Sequence, residues 1–335
     1  ENVQNNVGIL DLSTFAKYEI KGSDSEAYLN RLCANSIPKK DGGIILGHTL
    51  NNIGRIQSEL TITRLSTDNF YILSSTASEI RDLDWFNNNL NKGEKVEINN
   101  VTEDYGVLVL AGPKSRVVLS QLTSENLENS NFPWLKGKEI EINKVPVRAL
   151  RINYMGELGW ELHHPMKQME SLYDAIYEVG KKENITNFGT YAVNSLRMEK
   201  AYRGWGAELT GEISLVEAGM DRFFNLNKKS NFIGSEALRE KLQSGVDIQI
   251  VYLEVDASDA DARGNEPVYH NDKIVGVVTS GAYGFRVNKS LAFAYVKSEL
   301  AKYGVELLVK IQGQKRAAKI LNAPSYDPQN KILKS

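Results

Sequence analysis

Tyr154-Met155-Gly156-Glu157-Leu158-Gly159-Trp160-Glu161-Leu162 is the stretch on which the reading of this chain turns. Two glycines three residues apart, between the apolar-rich run 147–154 and residues 160–162, predict a turn joining two strands. The second strand carries a carboxylate, Glu161, beside a large aromatic, Trp160. A carboxylate against an aromatic wall suits a flat, nitrogen-rich ring, because a fused aminopyrimidine offers two adjacent N–H donors that one carboxylate accepts together. A plain hairpin with a solvated glutamate would carry the same letters, so the surrounding sequence has to decide.

At 335 residues the chain is long enough for two or three domains with a substantial core. With 41% hydrophobic and 24% charged residues it falls in the globular range, and a net charge of −2 argues against a nucleic-acid or anionic-membrane surface. One cysteine, Cys33, excludes an internal disulfide, fits a reducing compartment and reads as a small buried hydrophobe. No apolar run approaches the length of a membrane span, and the first residues do not read as a signal peptide. The chain starts at Glu1 and passes at once into ordered-looking sequence, which suggests an excerpt of something longer.

Residues 7–13 and 16–21 read as strands and 23–34 as a helix with Ser23 as N-cap. Residues 43–50 and 56–65 read as a strand pair around Asn51-Asn52-Ile53-Gly54, with 69–74 a further strand. Helical spacing marks 76–91, 114–122, 166–181 and 190–202, while the run 105–111 ends at a Gly112-Pro113 breaker. Strand pairs interrupted by helices predict an α+β fold rather than a doubly wound parallel sheet. From Asp247 the texture changes to short strands at 248–255, 267–270, 273–279, 290–296 and 306–311 with turns between them, a small all-β domain. The boundary is placed near 240, at a helix spanning 234–243, which divides the chain into 1–240 and 241–335.

Three further constellations bear on chemistry. In Arg55-Ile56-Gln57-Ser58-Glu59-Leu60-Thr61-Ile62, alternation sets Ile56, Ser58, Leu60 and Ile62 on one face and Gln57, Glu59 and Thr61 on the other. Glu59 is then a carboxylate backed by core, and burial would raise its pKa and suit it to proton transfer. In Thr190-Tyr191-Ala192-Val193-Asn194-Ser195-Leu196-Arg197-Met198-Glu199-Lys200-Ala201-Tyr202-Arg203-Gly204-Trp205-Gly206, Thr190 is placed to cap a helix. Glu199 and Arg203 sit at ion-pair spacing, and Tyr202 lies at the helix edge. The runs 264–269, 276–283 and 289–296 carry glycines suited to a compact β domain, with Tyr283 a candidate for lining a cleft.

The opening stretch resembles the Tyr-Thr-Gly-Glu-x-Gly-[Phe/Trp]-Glu signature of the folate-dependent aminomethyltransferase family, the glycine-cleavage T-protein and its relatives. The 190–206 segment matches that family's Leu-Arg-x-Glu-x-x-[Tyr/Phe] helix, and its Arg-Gly-Trp-Gly continuation resembles the dimethylglycine and sarcosine dehydrogenase branch. Glu217-Ala218-Gly219-Met220, Phe232-Ile233-Gly234 and the glycine-rich β runs continue the match in order from about Val7 to the end.

The resemblance implies a T-protein-like α+β core of two intertwined subdomains followed by a small C-terminal antiparallel β-barrel. It implies that tetrahydrofolate captures an iminium or formaldehyde-level carbon from demethylation of dimethylglycine or a related amine, giving the 5,10-methylene form. It assigns Glu59 and His48 to the chemistry and Glu161, Tyr154, Trp160, Tyr202, Arg197 and Phe15 to folate, with no metal. Relatives carry Asp where this chain has Glu59 and some carry an aromatic where it has Leu46; His48 is the nearby polar partner, and a core or solvated histidine is its alternative. FAD is expected only in an upstream flavin domain or subunit, since no Gly-x-Gly-x-x-Gly occurs here. Folate, free or polyglutamylated, and that flavin unit are the implied partners, with no nucleic acid and no membrane. The implied compartment is the cytoplasm of a bacterium or the mitochondrial matrix of a eukaryote. A stand-alone demethylase, a glycine-cleavage aminomethyltransferase and a noncatalytic folate-binding protein are the alternatives; the Lys-Gly-Cys-Tyr motif of the last is absent.

Overall fold

The computed structural model describes all residues, Glu1–Ser335. The chain begins in one sheet, leaves for a second and returns. After α1 (Asn2–Asn5) and β1 (Gly8–Asp11), it crosses to β2 (Ala16–Lys21), α2 (Ser25–Leu32), β3 (Ile44–Leu50), β4 (Ile56–Ser66), β5 (Asn69–Ser74), α3 (Glu79–Asn88) and β6 (Glu97–Asn100). It comes back through β7 (Tyr105–Ala111), α4 (Ser115–Leu119), β8 (Gly137–Ile142), β9 (Val145–Leu150), β10 (Gly159–Pro165), α5 (Met169–Gly180) and β11 (Thr186–Asn187). The first sheet runs β11-β1-β7-β10-β9-β8 and the second β3-β4-β5-β2-β6. Then α6 (Thr190–Glu199) and α7 (Ser235–Ser244) lead to β12 (Ile248–Val255), β13 (Pro267–His270), β14 (Lys273–Gly284), β15 (Lys289–Lys297), β16 (Glu306–Ile311) and β17 (Gln314–Leu321). These last six close into an antiparallel barrel in the order β12-β15-β14-β13-β16-β17.

Alternation decides what each sheet does with its two faces. Leu108 and Leu110 of β7 and Trp160 and Leu162 of β10 share a core with Val118 and Leu119 of α4 and Leu172 and Ile176 of α5. In the second sheet Tyr18, Ile20, Leu60, Ile62, Phe70 and Ile72 pack under Tyr28 and Leu29 of α2 and Phe86 of α3. Each sheet therefore spends one face on helices. The opposite faces turn toward one another, where Ile44, Tyr71 and Leu73 of one sheet meet Leu150 of the other. Polar residues alternating with the helix-facing core are thereby delivered to an inter-sheet seam.

The structure differs from the sequence expectations at several ends. The strand expected over 147–154 stops at Leu150, so the glycine stretch belongs to an eight-residue connection, 151–158, rather than a tight turn. The helix expected to 202 stops at Glu199, and Ala201 takes a left-handed backbone (φ 53°). That break removes the Glu199–Arg203 pairing: Glu199 instead accepts hydrogen bonds from Gln4 and the Arg286 backbone, and Arg203 donates to the Ala201 and Ala218 carbonyls. Gly189 and Asp24, not Thr190 and Ser23, occupy the N-cap positions of α6 and α2. Strands β8 and β17 escaped notice because their outward residues are charged: Glu139 and Glu141 in one, Lys315 and Lys319 in the other.

Candidate functional site

The connection 151–158 is shaped by one side chain. Asn153 accepts hydrogen bonds from the backbone N–H of Met155 (2.9 Å) and Gly156 (3.0 Å), while its amide donates to the Glu157 carbonyl (2.7 Å). Gly156 has φ 76°, and a Cβ there would strike the Lys200 side chain. At Gly159 a Cβ would lie 2.5 Å from the Leu110 carbonyl oxygen, so the glycine lets β10 begin pressed against β7. Loop and strand together fix where Glu161 emerges.

Glu161 lies on the seam face of β10, between Val109 of β7 and Leu150 of β9. Its side chain is 16% exposed, and no protein group donates it a hydrogen bond; the nearest cation-forming group is His163 Nε2 at 3.5 Å. Burial pushes its carboxyl up to about 8. His163 is buried, and burial followed by the charges of Arg148 and Lys17 holds its imidazole well below the usual range, so it is neutral. Trp160 is a correction. Adjacent strand residues point to opposite faces, and its ring is fully buried on the helix side against Phe132. It anchors β10 from behind and makes no wall beside Glu161.

Glu59 occupies the seam face of β4, directly across the ladder from His48 on β3. His48 Nε2 lies 3.1 Å from a Glu59 carboxylate oxygen; the imidazole is fully buried and the glutamate side chain 21% exposed. Behind Glu59, Ile56, Leu60 and Ile62 are core. Tyr154 and Tyr202, both half-buried, stack with centroids 5.7 Å apart, and Tyr154 Oη donates to the Arg203 carbonyl. Glu59 is within electrostatic reach of the Tyr154 phenol, whose ionisation burial strongly disfavours. Phe15, 36% exposed, sits in the β1–β2 connection, its carbonyl held by the buried Lys17 ammonium at 2.9 Å.

Arg197 is the second correction. Its guanidinium donates to Asn194 (2.9 Å), the Tyr202 carbonyl (3.0 Å), Glu208 (2.9 Å) and Ser280 of β14 (2.7 Å), with the side chain 5% exposed. Those donors are taken by protein, so it clamps α6 to the barrel rather than meeting a ligand. Residues the sequence reading passed over are Asn153, His163, Tyr71, Arg148 and Glu208. Only Asn153 carried a local signal, an Asn three residues before a glycine in a turn. No cluster of His, Cys, Asp or Glu is arranged to hold a metal ion, and no helix is long and apolar enough to cross a membrane.

Two helix-backed sheets with a polar seam, an unpaired glutamate at the seam and a closed six-stranded barrel clamped beside them define a T-protein-type fold. Residues 1–228 match the family described as the GCVT N-terminal domain, and residues 249–327 the glycine cleavage T-protein C-terminal barrel domain. The chain belongs to this family. It is 43% identical to the mitochondrial dimethylglycine dehydrogenase of Rattus norvegicus, over 97% of this chain and 38% of that protein. It is 31% identical to an aminomethyltransferase of Desulfitobacterium hafniense strain Y51, over 98% of this chain and 88% of that one. The solved glycine cleavage system aminomethyltransferase T of Bartonella henselae superposes with a TM-score of 0.88 at 22% identity, covering 98% of this chain and 88% of that chain. The chain thus spans a little over a third of the length of the dimethylglycine dehydrogenase relative.

Proposed function

We propose that this chain transfers a one-carbon unit at the formaldehyde level, released by demethylation of dimethylglycine or a related methylated amine, to tetrahydrofolate, giving 5,10-methylenetetrahydrofolate. The observation that carries the reading is Glu161: a recessed carboxyl with no protein donor, on the strand of the signature stretch. A buried polar group without a partner is costly, and a ring edge with two N–H donors supplies what is missing. The 43% identity to dimethylglycine dehydrogenase supports the choice of amine, and a flavin domain or subunit outside this sequence is then the source of the carbon. On the same basis the compartment is the mitochondrial matrix in a eukaryote or the cytoplasm in a bacterium.

Tetrahydrofolate supplies the nucleophilic amine that takes up the carbon. The protein's part is to hold and to move protons. Glu161 accepts the N–H donors of the pterin edge, Tyr154, Tyr202 and Phe15 border the site with apolar surface, and Glu59 Oε, backed by His48, receives the proton from the attacking amine. The second reading, an aminomethyltransferase proper, draws on the Desulfitobacterium relative, which this chain covers almost in full. Product formation from dimethylglycine versus an aminomethylated carrier protein separates the two.

Glu161→Gln is expected to weaken folate binding roughly ten- to a hundredfold, the equivalent of one charge-assisted contact of about 1.5–3 kcal/mol. Isothermal calorimetry on the folded variant checks this, and unchanged affinity would remove Glu161 from the site. A second expectation concerns pH. A carboxyl raised to about 8 in the folded protein keeps its proton where the unfolded chain has lost it. Glu161 therefore subtracts nothing from stability below the ordinary carboxylate range, and progressively more as pH rises from there to about 8. Folate favours the ionised form and offsets that loss. Its affinity should rise by up to about tenfold per pH unit between pH 6 and 8 and then level off, a profile that Glu161→Gln abolishes.

A further inference from the structure

The segment 325–335, which follows the barrel, is fastened to both ends of the connection 151–158. At the start of the connection Arg151 is fully buried and donates to the Ser335 carbonyl at 2.5 Å, and Arg116 donates to the same oxygen at 2.8 Å. Toward the other end, the Lys200 stem fills the space that a Cβ on Gly156 would need. The Lys200 ammonium, buried just past the end of α6, donates to the Asp327 carbonyl (2.6 Å) and to the Asn330 side-chain oxygen (2.8 Å), with an Asp327 carboxylate oxygen 3.4 Å away. Between these points the segment holds its own shape. The Asp327 carboxylate accepts from the backbone N–H of Lys331 (2.7 Å) and Ile332 (3.1 Å), and Leu333 is buried. The Tyr326 N–H donates to the carbonyl of Glu199, the last residue of α6, at 3.0 Å.

We propose that this segment is a strap and Lys200 a positioning residue, which together hold the loop 151–158 and the stacked Tyr154–Tyr202 pair in the arrangement that admits tetrahydrofolate, without touching the ligand. The inference rests on the reading that Glu161, Tyr154 and Tyr202 form the folate site. Tyr154 lies two residues before Gly156, and Tyr202 two residues after Lys200, so the contact between Gly156 and Lys200 is the common footing of the stacked pair. The loop then runs directly into β10, whose third residue is Glu161.

Both partners of the stack need such a footing. No helix or strand spans 151–158, and Asn153 supplies the hydrogen bonds inside the loop. Tyr202 stands beyond the left-handed break at Ala201, outside α6. Ordering these residues costs conformational entropy, which the strap meets before a ligand arrives. A ligand that binds only the ordered arrangement loses affinity in proportion to the fraction of molecules that lack it. Methionine at Lys200 keeps the stem against Gly156 and removes only the ammonium, so it detaches the strap from the loop without opening a hole.

The test is calorimetric binding of 5-formyltetrahydrofolate to the full-length protein, with amide hydrogen exchange followed across 151–158 in parallel. Lys200→Met is expected to speed exchange at Met155 and Gly156 and to weaken binding by about tenfold, with saturating ligand restoring the parental exchange. In turnover, KM for tetrahydrofolate should rise by the same factor while kcat at saturation stays parental, a split that a general loss of packing would not give. Asp327→Ala and Asn330→Ala, made together on the strap side, should act in the same direction, and this pair serves if Lys200→Met fails to fold. Parental affinity in both variants overturns the strap and leaves the Glu161 reading standing. Weaker binding without faster exchange in the loop, or with kcat falling alongside, also overturns the strap. A parent protein that does not bind 5-formyltetrahydrofolate at all overturns the folate site itself, and the strap's role falls with it.

Discussion

Glu59→Gln is expected to slow methylene transfer by about 10²–10⁴-fold while changing folate affinity little. The side chain sits at the seam with its carboxylate 3.1 Å from a buried imidazole, backed by core on the other face of β4. It is therefore fixed in direction, yet 21% exposed and open to a ligand. Its interaction with the proton of an attacking amine strengthens as the new bond forms, so its loss falls on the rate more than on binding. Glutamine keeps the size and the contact with His48 and loses only the basicity. The measurement is single-turnover formation of 5,10-methylenetetrahydrofolate by the full-length protein, with amine oxidation followed separately. Transfer at the parental rate would reduce Glu59 to a structural strand residue. Glu59→Asp should be milder, since relatives of the resembled family carry Asp there.

Glu208→Ala is expected to cost about 3–5 kcal/mol of stability. Glu208 is fully buried and accepts hydrogen bonds from Arg197 (2.9 Å), the Gly204 backbone (2.8 Å), and Thr279 and Ser280 of the barrel (2.5 Å each). Alanine would leave the Arg197 guanidinium buried without its counter-charge and strand two barrel hydroxyls. Urea denaturation gives the number, and a loss below about 1 kcal/mol would mean that water replaces the carboxylate at no great cost. Pairing the change with Arg197→Met should restore part of the loss, because two apolar groups are tolerated where one orphaned charge is not.

Much of this architecture was legible along the chain because alternation and turn residues are local. Strands at 16–21, 69–74, 248–255, 267–270 and 306–311 fall where the pattern put them. Glu161 was legible because its neighbours form a motif whose glycines have a steric purpose, seen in the space each leaves for Lys200 and Leu110. Trp160 was misplaced although the two-residue period already forbids it from sharing a face with Glu161. Arg197 was misread for a different reason. Nothing within its helix says that Glu208, eleven residues on, and Ser280, in another domain, will take its donors. The contact between Tyr71 and His163 spans 92 residues and two sheets, and no local pattern announces it.

The path of the chain between its two sheets has a consequence for how the protein can be divided. Gly8 pairs with both Ala111 and Thr186, so β1 is the interior strand of a sheet whose other members are made only after the whole of the second sheet. The first sheet is not built from one continuous segment of the chain. The first must wait on long-range closure, and the second hangs as a loop whose two ends are stitched side by side. Assembly should accordingly be slow and all-or-none. A genetic cut, a permuted terminus or a protease nick between Asp11 and Tyr105 unravels both halves together, whereas one placed before Ile248, where the barrel begins, spares at least the pairing within each piece.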